Sequence, residues 1–287
     1  MNKCYDEIMD LIGAEEFKAL VRKWDTLSGN IGNGKSLPRL IPNLLWVGNS
    51  GIGRTKLLQL MSAYLAAKGN LIDFYGDIKY FEFLLGYTPK EKEFTELQRL
   101  EDELSVAGGF RSEFRGVILI DITPWLGHHN ELYFTSFMEY LAAHSDKWLI
   151  VLSVPELPEK LLNNLEAYLS MYLRLDSIRL TLPDTEALCR FVETTLAKYN
   201  LSFHESAKAL LHNTIDELRN SPFFDGFKTI EMLCQDIIYE HFSSESAAKT
   251  LLEEADLSSF APGSNYVKKV IKNAQRMRKI GFDRGEE

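Results

Sequence analysis

Leu44 to Lys68 reads LLWVGNSGIGRTKLLQLMSAYLAAK, and the fold turns on how this stretch is read. Leu44-Leu45-Trp46-Val47 is a short apolar run, the mark of a buried strand. Gly48-Asn49-Ser50-Gly51-Ile52-Gly53-Arg54-Thr55 follows, rich in glycine. Leu57, Leu58, Leu60, Met61, Tyr64 and Leu65 then recur at helical spacing. Strand, glycine loop and helix in this order form a phosphate-binding loop, whose backbone N–H groups and helix N-terminus cradle a polyphosphate. One position departs from the pattern: Arg54 stands where the motif has Lys.

A second stretch competes with it. Gly29-Asn30-Ile31-Gly32-Asn33-Gly34-Lys35-Ser36 matches GxxxxGKS in full. Its surroundings argue against it. Val21 to Leu27 continues a helix with Arg22, Lys23 and Asp25 inside it, so no strand leads in. Pro38 and Pro42 interrupt the turns that follow, so no helix leads out. Without that frame a loop cannot aim its amides. The degenerate match at Gly48 is the preferred phosphate loop, and a second phosphate site at Gly29–Ser36 is the minor alternative.

Working outward, Leu71–Tyr75 alternates like a strand, and Lys79–Leu85 is apolar and aromatic. Val117-Ile118-Leu119-Ile120 is a run of aliphatics closing on Asp121, the pattern of a buried parallel strand ending in an acid. Trp148–Leu152 is another such strand, ending at Ser153, and Ile178–Leu182 gives a fifth. Helical stretches at Glu91–Leu104, Glu131–Ala143 and Leu161–Leu173 separate them. Strands alternating with helices predict a parallel sheet covered on both faces. Before the sheet, Asp6–Trp24 reads as helix broken at Gly13. After Pro183 no strand pattern recurs. Asp184 caps a helix to Tyr199, others start at Ser202, Phe227 and Ser246, and a polar tail with a basic run from Lys268 to Lys279 closes the chain. The expected division is 1–183, an αβα domain with N-terminal helices; 184–257, a helical domain; and 258–287, a polar and basic tail.

The totals narrow the function. The 287 residues are 45% apolar with a net charge of −9, which fits a packed core and argues against a general nucleic-acid binder. Cys4, Cys189 and Cys234 lie far apart, as reduced thiols of a cytoplasmic protein do, and no run approaches the roughly 20 apolar residues of a membrane span. His128-His129 lacks a third metal ligand and reads as a surface loop, and Ser153 lacks the partners of a nucleophile.

Five blocks in order carry a resemblance: LIGAEEFKALVRKW, LPRLIPNLLWVGNSGIGRT, FLLGYTPKEKE, GVILIDITPWL and SPFFDGFKTIEML. Together they resemble the AAA+ ATPases, most of all the Rubisco-activase-like and stage V sporulation protein K-like subfamily, over Leu11 to Phe242. The resemblance implies a P-loop αβα sandwich with a five-stranded parallel sheet and an all-α lid, binding ATP or ADP with Mg²⁺ in a crevice between them. It implies that Leu11, Ile12 and Gly13 line the adenine pocket. Gly48, Asn49, Ser50, Gly51, Ile52, Gly53, Arg54, Thr55 and Lys56 would hold the phosphates, and Thr55 and Asp121 the Mg²⁺. Ser153 falls at the sensor position and Lys228 at the lid arginine. Leu84-Leu85-Gly86 falls at the central-pore loop, and Arg174 lies within a residue of the arginine finger. It also implies ring-like assembly with itself or other AAA+ subunits around an unidentified protein client; from charge and hydropathy, neither membrane nor DNA is expected as a partner.

The departures point further. Arg54 replaces the loop Lys, and a planar fork is not a compact point charge. Ile122 replaces the water-orienting acid that follows the magnesium-side Asp, and Glu113 lies before the strand, at its wrong end. Lys228 replaces the lid Arg. The expectation is a remodelling-type ATP-binding protein with impaired hydrolysis and a regulatory or structural role. An active ATPase with non-standard residues and a scaffold without nucleotide are the alternatives.

Overall fold

The structure is a computed structural model and describes residues 3–31, 40–68, 79–87, 95–108, 114–128, 131–222, 224–243 and 249–282. It divides into two compact units, Met1–Asn49 with Arg54–Thr181, and Ser50–Gly53 with Leu182–Glu287.

The first unit opens with helix α1 (Lys3–Met9) and helix α2 (Glu15–Ile31). They are parted at Gly13 and Ala14, both at positive φ, 77° and 56°. The elements that follow are β1 (Asn43–Val47), α3 (Arg54–Lys68), β2 (Lys79–Leu84), α4 (Thr95–Gly108), β3 (Gly116–Asp121), α5 (Leu132–Ala143), β4 (Trp148–Val154), α6 (Glu159–Leu169) and β5 (Leu175–Arg179). A single 3₁₀ turn, Thr123–Trp125, leaves β3.

The strands form a five-stranded parallel sheet in the order β2-β3-β4-β1-β5. β1, the strand that feeds the glycine loop, therefore lies between β4 and β5. It is buried throughout, as is β4, because helices cover both faces. Alternation along each strand sorts side chains between these faces. Leu45, Val47, Ile118, Ile120, Ile150, Leu152 and Val154 pack with Leu100 and Leu104 of α4, Phe137 and Leu141 of α5, and Leu162 and Leu165 of α6. Leu44, Trp46, Val117, Leu119, Leu149 and Val151 point the other way. There Phe17 of α2 meets Trp46 edge-on, ring centroids 6.1 Å apart, and α3 lies against β2 and β3. Trp46 is 1% exposed, and its indole N–H has no hydrogen-bond partner among the described residues.

In the second unit, α7 (Thr185–Ala197) begins at Asp184, whose carboxylate accepts the Ala187 N–H at 2.7 Å. β6 (Ser202–Phe203), α8 (Glu205–Arg219), α9 (Gly226–Ser243) and β7 (Leu251–Leu252) follow, then a 3₁₀ segment, Glu254–Phe260, and α10 (Asn265–Phe282). The helices close on their own core of Leu188, Leu211, Ile215, Ile230, Leu233 and Ile237.

Several expectations shift. β5 begins three residues before the predicted Ile178, since an edge strand of intermediate burial carries little apolar signal in Leu175-Asp176-Ser177. The helix expected from Ser246 is not seen over its described part: Leu251–Leu252 pairs in parallel with Ser202–Phe203, the one extended pair of this unit among the described residues. The segment after Ser258 is more than a polar tail, because Phe260 and Val267 are buried in the second core. The strand expected at Leu71–Tyr75 and the Gly32–Ser36 part of the second glycine motif lie outside the described residues. Gly29–Ile31 is the end of α2, so a helix and not a strand leads into that motif. No helix of the described residues is long and apolar enough to cross a membrane.

Candidate functional site

Sheet register brings the first group together. Asp121 at the end of β3 is the Cα partner of Ser153 in β4, and Ser153 is in turn the partner of Trp46 in β1. Asp121 and Ser153 share the parity of Val117, Leu119, Leu149 and Val151, so both side chains stand on the α3 face. Arg54 begins α3. Its Nη1 donates to Ser153 Oγ at 2.8 Å and to Asp121 Oδ2 at 3.3 Å. Arg54 and Asp121 side chains are 23% and 25% exposed, whereas Ser153 is fully buried. A part-buried, charge-assisted contact of this kind is stronger than a surface ion pair. Three residues expected at the phosphate loop, the acid and the sensor thus form one hydrogen-bonded set.

Their neighbours are also engaged. Asp121 Oδ1 accepts from the Thr123 backbone N–H at 3.0 Å and from the Thr123 hydroxyl. Thr55 Oγ1 donates to Glu82 Oε2 at 3.2 Å. Ile122 has the opposite parity. Its side chain, 1% exposed, belongs to the core under α4, α5 and α6 together with Ile120, Trp125 and Phe134. In this chain the position is filled by an aliphatic group packed into the core. Sequence reasoning missed Glu82 and Thr123. Glu82 had one signal, a charge alternating with Phe81 and Phe83; Thr123 had none beyond adjacency.

The donor set does not fit Mg²⁺. The hydroxyl of Thr55 is turned to Glu82, one oxygen of Asp121 to Thr123 and the other to a guanidinium. The Thr55 hydroxyl donates and keeps its lone pairs, but a divalent ion bound through Asp121 would compete with both contacts of that carboxylate and sit against the positive charge of Arg54.

The glycine loop is anchored at its start, where the Gly48 N–H donates to the Val154 carbonyl at 3.0 Å and Asn49 Oδ1 accepts the Glu156 N–H at 3.3 Å. Ser50–Gly53 pack within the second unit. There Ser50 Oγ donates to Asp225 Oδ1 at 2.9 Å, and the Phe227 N–H donates to the Gly51 carbonyl at 2.8 Å. Gly51 (φ 81°) and Gly226 (φ 53°) approach so closely that a Cβ on either would collide with the other's backbone. Ile52 is buried, and Phe227 reaches within 3.9 Å of where a Gly53 Cβ would stand. Lys228 is exposed and lies 3.8 Å from Asp225.

Other expected residues stand apart. Ile12 and Gly13 form the turn between α1 and α2, half-buried. Lys56 is exposed on α3, and Arg174 is exposed just before β5, its carbonyl accepting the Asn43 N–H at 2.9 Å. Leu84 is exposed at the end of β2 while Leu85 is buried. His128 is held by Tyr87, which stacks on it at 4.2 Å, and by Glu131 at 2.8 Å. His129 and Glu113 lie outside the described residues.

No family's sequence profile matches the chain, and no curated protein matches it in sequence. Solved structures do match. A mutant of Thermotoga maritima RuvB is similar at TM-score 0.53 and 11% identity, over 94% of this chain and 72% of that one. The FIGL-1 AAA domain is similar at TM-score 0.51 and 14% identity, over 95% and 88%. C. elegans PCH-2 is similar at TM-score 0.50 and 14% identity, over 90% and 68%. At these identities the likeness is one of fold. The chain thus has the fold of these structures, a P-loop α/β domain with a five-stranded parallel sheet and a helical part.

Proposed function

We propose that the chain is an AAA+-type protein that binds ATP or ADP at Gly48–Thr55, hydrolyses it very slowly or not at all, and serves as a regulatory or structural subunit. The observation that carries this reading is the Arg54 guanidinium bonded to both Asp121 and Ser153. The set that should act on the γ-phosphate is satisfied internally, and Ile122, in the core, orients no water. Residues 1–183 are the nucleotide-binding domain in this reading, 184–257 the lid with Lys228 as its sensing cation, and 258–287 a segment whose Phe260 and Val267 complete the lid's core. Assembly is with itself or with active AAA+ subunits in the cytoplasm, a reading that the wide spacing of the three Cys supports.

Losing one charged or water-orienting group costs about 10²–10³-fold in rate. Turnover of purified protein should therefore fall at least ~100-fold below the ~1 s⁻¹ low end of ordinary enzymes. Calorimetry on the same sample should still show ADP binding. Turnover near 1 s⁻¹ would overturn the reading. The contact between Glu82 and Thr55 favours a second one, in which Glu82 takes over the missing acid's work; Glu82→Gln would then abolish a measurable ATPase rate and leave binding intact.

A further inference from the structure

We infer that the Arg54 guanidinium occupies the place of the divalent ion, so that this chain binds nucleotide without Mg²⁺. The inference rests on the nucleotide-binding reading above and concerns how that site meets the phosphate charge. In phosphate-loop proteins Mg²⁺ is held by the loop Ser or Thr and by the acid ending a buried strand, and a Lys points at the phosphates. Here the cation that touches the acid comes from the loop itself. Arg54 Nη1 lies 3.3 Å from Asp121 Oδ2 and 2.8 Å from Ser153 Oγ, and Thr55 Oγ1 is bonded to Glu82. Asp121 Oδ1 is committed to Thr123.

Two consequences follow from charge alone. Both oxygens of Asp121, the acid that would hold Mg²⁺, are already bonded, and a divalent ion would meet the positive charge of the guanidinium at 3.3 Å. The guanidinium has five N–H donors, and the two bonds to Asp121 and Ser153 both come from Nη1, which leaves Nε and Nη2 to face a phosphate. The phosphate charge is thus met by a planar fork, which suits bidentate recognition of phosphate.

The test is direct titration of the whole protein with a fluorescent N-methylanthraniloyl ADP, once in Mg²⁺ and once in excess EDTA. Equal affinities, within about threefold, are expected. Affinity lost tenfold or more in EDTA overturns the inference while leaving nucleotide binding in place. No binding in either buffer overturns the nucleotide reading and this inference with it. Arg54→Lys supplies a second arm: its ammonium is a point charge with no fork to bridge two partners, so binding should become Mg²⁺-dependent by tenfold or more. A folded Arg54→Lys protein whose binding stays indifferent to EDTA counts against the inference. Should that variant not fold, the wild-type comparison still decides.

Discussion

Ile122 shows how one side chain can settle what a neighbouring one means. It follows Asp121, and strand alternation sends the two to opposite faces of the sheet. Asp121 meets Arg54, whereas Ile122 enters the core. Placing an acid at this position, as the AAA+ pattern has it, should therefore not raise ATP turnover. Ile122→Glu would place an unpaired carboxylate among Ile120, Trp125 and Phe134, at a cost of about 3 kcal/mol or more. Denaturant unfolding should show that loss, and ATP turnover should not rise; a stable Ile122→Glu protein with new turnover would contradict it. The absence of the acid could be read in the sequence. That the position has become part of the core could not, because alternation gives the face but not the residues that cover it, and Trp125 and Phe134 come from beyond the strand.

Among the elements, the loop between β1 and α3 was legible because its frame was. A fully buried parallel strand reads as an unbroken apolar run, and α3 repeats at helical spacing. The same reasoning set the full GxxxxGKS match aside, and α2 does run to Ile31. Edge elements were harder: β5 mixes Asp176 and Ser177 with apolar residues and was placed too late. The pairing of β6 with β7 involves two residues on each strand, too short for any period. Partners of the loop were also beyond sequence, since nothing local ties Gly51 to Asp225–Phe227, more than a hundred positions away. That contact makes opposite predictions for two glycines. Gly51→Ala forces a Cβ into the Asp225 backbone at φ 81°, and the left-handed conformation alone costs about 1–2 kcal/mol. Its melting temperature should fall. Gly29 lies in α2 with nothing within 4 Å of an added Cβ, so Gly29→Ala should raise it, by about 0.5–1 kcal/mol of stability. Equal shifts for both would mean that the close approach of Gly51 and Gly226 is not made.

On the scale of the molecule, the second unit is discontinuous in sequence, taking Ser50–Gly53 along with everything after Thr181. The chain passes between the units three times, and a fragment starting at Leu182 would lack the partners of Asp225 and Phe227. The second unit also holds both of the thiols that burial perturbs. Burial first, and then the charges of Glu193 and Glu186, push Cys189 up to about 11. Burial first, and then Glu231, push Cys234 up to about 12. Both thiols stay neutral in the fold, whereas in an unfolded chain they ionise near 8.5. Above about pH 8.5 the unfolded state is the one that releases protons, so stability falls as pH rises, to about pH 11 on account of Cys189 and to about pH 12 on account of Cys234. Burial raises Tyr64 and Tyr266 as well, adding to the loss above about pH 10. Urea midpoints measured between pH 7.5 and 10.5 should decline steadily, less steeply in Cys189→Ala; a flat profile would rule this out.

Trp46 gives the protein an optical consequence. Trp125 and Trp148 donate their indole N–H groups to the carbonyls of Gly86 and Phe114, while that of Trp46 is buried and unbonded among the described residues. An indole held dry, with no acceptor, emits at the blue end of the tryptophan range. Trp46 is also the strand partner of Ser153, which receives the Arg54 bond. A charged ligand that docks on Arg54, whether or not it draws the guanidinium from Ser153, changes the electric field at that ring. The protein therefore carries its own dye, and its ultraviolet emission should register the arrival of a phosphate with no label attached.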